Sequence, residues 1–104
     1  MKPDKVNILG IEYSITYCEN PSEVDIHKRT ALWGQIDYWT RTIRIYDSER
    51  PAEDIWQAIF HEIIHGIVEL LHINALDGTE HEDDIDILAL ALTDILFRNE
   101  WMKP

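Results

Sequence analysis

The chain has 104 residues, 45% hydrophobic and 28% charged, with a formal net charge of -11; that is enough for one domain with one modest core, so 1–104 reads as a single domain. The negative charge, with no cluster of Lys and Arg to offset it, excludes direct binding to nucleic acid phosphates, and no run of about 18 apolar residues is present to span a bilayer. Cys18 is the only cysteine, so internal disulfides and thiol-based zinc frameworks are excluded and any metal must rest on histidine and carboxylate.

The start, Met1-Lys2-Pro3-Asp4-Lys5, lacks the apolar stretch of a secretory signal, and a cytoplasmic location is the expectation. The acidity also admits a small DNA mimic that binds a DNA-binding partner. Much of the acid, however, is concentrated between Asp77 and Asp86, where metal-site and helix-terminus chemistry explains it first.

Taken in order, Val6 to Glu19 alternates with Ile8, Ile11, Tyr13, Ile15 and Tyr17 around a turn at Leu9-Gly10, the pattern of a first strand or short hairpin. From Glu19 to Thr30 the alternation fails. Asn20-Pro21-Ser22 is turn chemistry and Glu23 to Arg29 is mostly charged, so a surface loop with at most one helical turn is expected, with His27 solvated on it. Ala31 to Gln35 opens a second strand region. Thr40 to Tyr46 forms a third, joined to it through Asp37-Tyr38-Trp39-Thr40-Arg41 as an antiparallel hairpin. Trp33, Tyr38 and Trp39 read as core or rim packing.

Pro51 suits the first position of a helix, and Glu53 and Asp54 favour its dipole in the first turn. The helix is expected from Pro51 to about His72, with Ile55, Trp56, Ile59, Phe60, Ile63, Ile64, Ile67, Val68 and Leu71 as its apolar stripe. Asn74 to Gly78 is a polar loop ending in Asp-Gly. A second helix follows from about Thr79 to Asn99, with Ile85, Leu88, Leu92, Ile95 and Leu96 as its expected core face. The short connection makes the two helices antiparallel neighbours, and Trp101 is placed to dock the tail.

The first helix carries His61-Glu62-Ile63-Ile64-His65. Histidines four residues apart project from one helical face about one turn from each other and can grip one ion. Zinc suits them, because imidazole nitrogens bind it at about 2.0 to 2.1 Å and a catalytic site keeps one position for water. Glu62 stands beside the pair, where a carboxylate can take a proton from that water. The bland alternative is two histidines decorating an ordinary helix.

Two histidines are one ligand short. The extension H-E-x-x-H-x-x-G-x-x-H is excluded by Val68 and Leu71. Glu82, on the first turn of the next helix, is the leading third ligand, with His81, Asp83 and Glu80 as alternatives. Asp86 lies one turn on, placed to accept the second ring N–H of a ligand histidine. Ala89 and Thr93 continue that face and would let the helices approach. Glu82 also fits the capping box Thr79-Glu80-His81-Glu82, worth about 0.5 to 2 kcal/mol without any metal. His72 lies three turns past His61, about 16 Å along the axis, and cannot join the same ion.

With His61-Glu62-x-x-His65 followed by Glu82-x-x-x-Asp86, the chain resembles the gluzincin metallopeptidases in their smallest, single-domain form. It is also similar to short metallopeptidase-like proteins of phages and prophages, where Leu32-Trp33-Gly34-Gln35-Ile36-Asp37-Tyr38 before a strand, the histidine motif and a final acidic-then-aliphatic helix recur in that order. The resemblance covers Leu32 to Asn99. It implies His61, His65 and Glu82 as zinc ligands, Glu62 as general base and later proton donor, and Asp86 behind a ligand histidine. It further implies that Thr42 to Tyr46 is a sheet edge that pairs with an extended peptide substrate. Gluzincins of ordinary size steady the oxyanion with a His or Tyr from a further domain. This chain has no room for one, and Tyr38, Tyr46 and His72 are the substitutes to examine.

The expectation is therefore an α+β domain, with a small antiparallel sheet of about three strands on the motif helix and a second helix completing a zinc site. The expected function is zinc-dependent peptide hydrolysis. The alternative is a non-catalytic interaction protein in which zinc pins the two helices together.

Overall fold

A computed structural model describes residues 2–25, 32–76 and 81–99 of the chain. The domain is α+β: strands β1 (Lys5–Ile8), β2 (Ile11–Cys18), β3 (Gly34–Asp37) and β4 (Thr42–Tyr46) precede helices α1 (Ala52–Leu71) and α2 (Glu82–Arg98). Single 3-10 turns occur at Pro21–Glu23 and Asn74–Leu76.

Local chemistry fixes both hairpins. At the first, Leu9 and Gly10 take positive φ and the Asn7 side chain accepts the Gly10 N–H at 2.7 Å, the geometry that lets two residues reverse an antiparallel pair. At the second, Asp37 accepts the Trp39 N–H at 3.0 Å and the Thr40 hydroxyl at 2.8 Å, an aspartate closing the turn onto its own backbone.

The sheet differs from the expectation of three antiparallel strands. It has four, in the order β1-β2-β4-β3, and β2 pairs with β4 in parallel, Ile15 opposite Ile43 and Tyr17 opposite Ile45. The second hairpin therefore docks on β2 by its later strand. Hydrophobicity decides which strand goes inside. Ile43 and Ile45 of β4 are fully buried, whereas Gly-Gln-Ile-Asp in β3 has one large apolar side chain and tolerates an edge. Thr42–Tyr46 is therefore an inner strand, and the expectation that it is the edge open to a peptide is corrected: among the described residues the edges are β1 and β3.

Two further expectations change. The segment after Asn20 is not purely surface, because Val24 and Asp25 are buried, with Gln35 donating to Asp25 at 3.2 Å. On α2 the buried line is Ile85, Ala89 and Thr93, while Leu88, Leu92 and Ile95 are exposed. Ile85 and the small residues Ala89 and Thr93 thus form the packed face, and the other large aliphatics named lie outside it. Small side chains allow the helices to approach closely, and α1, not the sheet, is what α2 covers.

The core lies between the sheet and α1, where Ile8, Tyr13, Ile15, Ile43 and Ile45 meet Ile55, Ala58 and Ile59. Gly66 makes the close approach possible. A Cβ there would stand 2.9 Å from Ile8 Cδ1 and 3.2 Å from Ile36 Cδ1. Pro51 is the N-cap of α1 rather than its first helical residue, and His72 ends the helix in a left-handed conformation with its N–H on the Val68 carbonyl. His27, Thr79, Glu80 and Trp101 lie outside the described residues.

Candidate metal centre

The helical advance of about 100° per residue sorts the motif onto two faces of α1. Glu62 falls on the line of Ile55, Ile59 and Gly66 that packs against the sheet, and is only 6% exposed. His61 and His65 turn toward α2, which runs antiparallel to α1: Gln57 and His61 meet Asp86, and His61 and His65 meet Glu82.

Three ligand atoms converge there. His61 Nε2 lies 2.5 Å from Glu82 Oε1, His65 Nε2 lies 3.2 Å from the same oxygen, and the two Nε2 atoms are 3.1 Å apart. A tetrahedral ion with ligands at about 2.0 to 2.1 Å holds them roughly 3.4 Å from one another; the two distances from His65 Nε2 come within a few tenths of an ångström of that, whereas His61 and Glu82 stand closer and would have to part to admit a cation. His61 Nδ1 faces Asp86 Oδ1 at 3.2 Å. Donating that ring proton to Asp86 leaves the Nε2 lone pair directed at the centre. Two imidazoles and a carboxylate are also the donor set that a borderline-soft divalent ion prefers. Of the third-ligand alternatives, Glu82 meets the histidines, while His81 Nδ1 sits 3.2 Å from Asp84.

Burial tends to lower the affinity of His61 for its proton, but the negative charges of Glu62 and Glu82 and the bonds to Glu82 and Asp86 outweigh it, and its pKa is raised. Glu82 moves the other way. Burial raises it, and the two histidines pull it below its ordinary value. Glu62 is pushed up to about 7, mainly by burial; His61 opposes the shift, Glu82 adds to it, and a hydrogen bond from the Ile36 backbone opposes it.

Gly34 explains how Glu62 fits. A Cβ on Gly34 would stand 3.1 Å from Glu62 Oε2 and 3.2 Å from its Cγ, so β3 passes over the carboxylate only because it has no side chain at that point. The Tyr46 N–H is bonded to the Trp33 carbonyl and the Ile36 backbone reaches Glu62. By the alternation of an antiparallel ladder, Gly34 and Ile36 therefore direct their backbone groups to the outer edge, beside the candidate centre.

A cleft of about 420 Å³ opens over these groups, with Trp33, Gly34, Arg50, Gln57, Glu62 and Glu82 on its walls. Arg50 is the cation that sequence reasoning missed. Its guanidinium lies 4.3 Å from the Trp33 ring and donates to the Tyr46 carbonyl at 2.7 Å and the Asp54 carbonyl at 3.3 Å. Only its place directly before Pro51 sets it apart in the sequence, and that carries no chemical signal. Among the described residues, neither Tyr46 nor His72 lines the cleft, and Tyr38 donates its hydroxyl to the His65 carbonyl at 3.1 Å.

Among the described residues no helix is long and apolar enough to cross a membrane. Comparison with protein-family models, curated proteins and solved structures finds no match.

Proposed function

We propose that the protein is a zinc-dependent peptide hydrolase, with His61, His65 and Glu82 holding the ion and Glu62 as general base. The observation that carries this reading is the convergence of those three ligand atoms at the mouth of a cleft that also contains a buried carboxylate. A zinc ion held there supplies Lewis acidity, polarising a carbonyl and acidifying water.

The rest is work for the chain's own groups. Glu62, shielded under Gly34, takes the proton from the attacking water and returns it to the leaving amine. Asp86 fixes the ring of His61 through Nδ1. The outward backbone groups of Gly34 and the Ile36 carbonyl offer an extended peptide a strand to pair with, which transfers the expected substrate edge from Thr42–Tyr46 to β3. Arg50, the cleft's one Arg or Lys among the described residues, is available to a carboxylate on that peptide.

Glu62→Gln tests the mechanism. Zinc content should be retained while cleavage of a peptide library falls to background, and turnover by the variant refutes Glu62 as base. A second reading has its own observation: the ligands come from both helices, two from α1 and one from α2, so an ion there would also tie the helices together. Stoichiometric zinc with no cleavage of any peptide by the unaltered chain selects that non-catalytic role.

A further inference from the structure

The side of α2 turned away from α1 is apolar. Ile87 is 62% exposed, Leu88 47% and Ile95 48%, and Ala91 and Leu92 complete a stripe at the i, i+4, i+8 spacing of one helical face. Glu82 and Asp86 lie on the other side of the helix, so the stripe is independent of the metal reading. Isolated exposed aliphatics are ordinary, whereas a contiguous stripe marks a surface that another helix covers.

The charges at its ends identify the occupant. Asp84 and Arg98 are exposed, and they stand seven residues before and seven residues after Ala91. Two copies of α2 crossing antiparallel at Ala91 place Asp84 of each against Arg98 of the other, twice over, as an isologous contact about a two-fold axis requires. A parallel pair would oppose Asp84 to Asp84. The smallest side chain of the stripe falls at the crossing point, where it lets helix axes approach to about 8 Å. An anionic membrane is a poor partner for a stripe flanked by Asp83, Asp84 and Asp94 on a chain of net charge -11.

We infer that the protein forms a homodimer through antiparallel packing of α2 on α2, centred on Ala91 and locked by reciprocal Asp84 to Arg98 pairs. In the separate chain Arg98 pairs with Asp94 at 2.7 Å and His81 with Asp84 at 3.2 Å. Both are surface pairs of neighbouring residues that can exchange partners at little cost. A standard interface buries roughly 800 Å² per partner, and for a contact confined to one helix the dimer is expected at micromolar concentrations.

Sedimentation equilibrium of the full chain should show the mass rising with concentration from 12.2 kDa toward twice that value. Arg98→Asp and Asp84→Arg should each weaken dimerisation by about tenfold, and the double variant should restore it. Ala91→Cys under mild oxidation should give a disulfide-linked dimer, whereas the unaltered chain, its Cys18 buried, should not. A monomer throughout the concentration range overturns the inference. So does a dimer indifferent to both charge reversals and not captured by Ala91→Cys.

Discussion

Zinc should stabilise the fold, by an amount that depends on Asp86 as well as on the ligands. An ion that binds the folded chain at about a hundred times its dissociation constant adds about 2.7 kcal/mol. At roughly 4 to 8 °C per kcal/mol for a domain near this size, the melting temperature should rise by roughly 10 to 20 °C over the metal-free protein. Asp86 orients His61 through Nδ1 at 3.2 Å, and losing such a partner weakens metal binding by about 10- to 100-fold. At the same zinc concentration, Asp86→Ala should therefore keep only about 0.4 to 1.4 kcal/mol of the stabilisation. The competing effect is the loss of an ion pair in the metal-free protein. Asp86 is exposed, so that loss is at most about 1 kcal/mol, and it largely cancels when each variant is compared with and without zinc. Differential scanning calorimetry of the unaltered chain, Asp86→Ala and Glu82→Ala, each with zinc and with chelator, makes the comparison. A rise below about 2 °C in the unaltered chain, or an undiminished rise in Glu82→Ala, refutes the three-ligand centre.

Gly34→Ala should reduce cleavage by about tenfold or more while leaving zinc content unchanged, because its Cβ displaces Glu62 and not the histidines, and sub-ångström misplacement of a catalytic group is costly; equal loss of zinc in atomic absorption would count against that division. Ile85→Ala should destabilise the fold by about 2 to 5 kcal/mol, read from the urea midpoint, since Ile85 is fully buried where α2 meets α1. Tyr17, which donates to the Pro3 carbonyl at 2.5 Å, is raised from 10.0 to about 12, chiefly by burial and next by Asp47 and Asp4. The unfolded chain then loses this proton first, so the contribution is complete below pH 10 and declines as pH rises from 10 to 12. Urea midpoints over that range should fall less steeply in Tyr17→Phe.

What the sequence made legible was whatever local periodicity specifies. The motif helix, both turns at Leu9-Gly10 and Asp37–Arg41, and the approach of Glu82 and Asp86 to His61 follow from spacing along one or two helices and from turn chemistry. Strand order does not follow from spacing. Parallel pairing of β2 with β4 joins residues about 28 apart, and only a comparison of the two strands' burial, Ile43 and Ile45 against the lone Ile36, points to the inner one. The error on α2 has a similar origin. Leu88, Leu92 and Ile95 outscore Ala89 and Thr93 in hydrophobicity, but after Ile85 the face of α2 that meets α1 continues through the small residues. Arg50 and Gly34 left no periodic signal, since each matters only through what the fold places beside it.

The order of residues within the motif is dictated by the same layering. One residue is about 100° of helix, so a carboxylate immediately after the first histidine turns away from α2 toward the sheet, and a second histidine four residues on returns to the face of the first. That rotation is what separates the two carboxylates. Glu62 goes under β3, where it is nearly dry, and Glu82 arrives from α2 at a half-exposed rim, where two imidazoles favour its charge. Exchanging His61 and Glu62 would point the carboxylate at α2 and bury an imidazole under Gly34, losing the histidine pair and the shielded base at once. The arrangement therefore needs β3 over one face of α1 and α2 over the next, and a glycine at position 34 is what lets β3 pass close over Glu62.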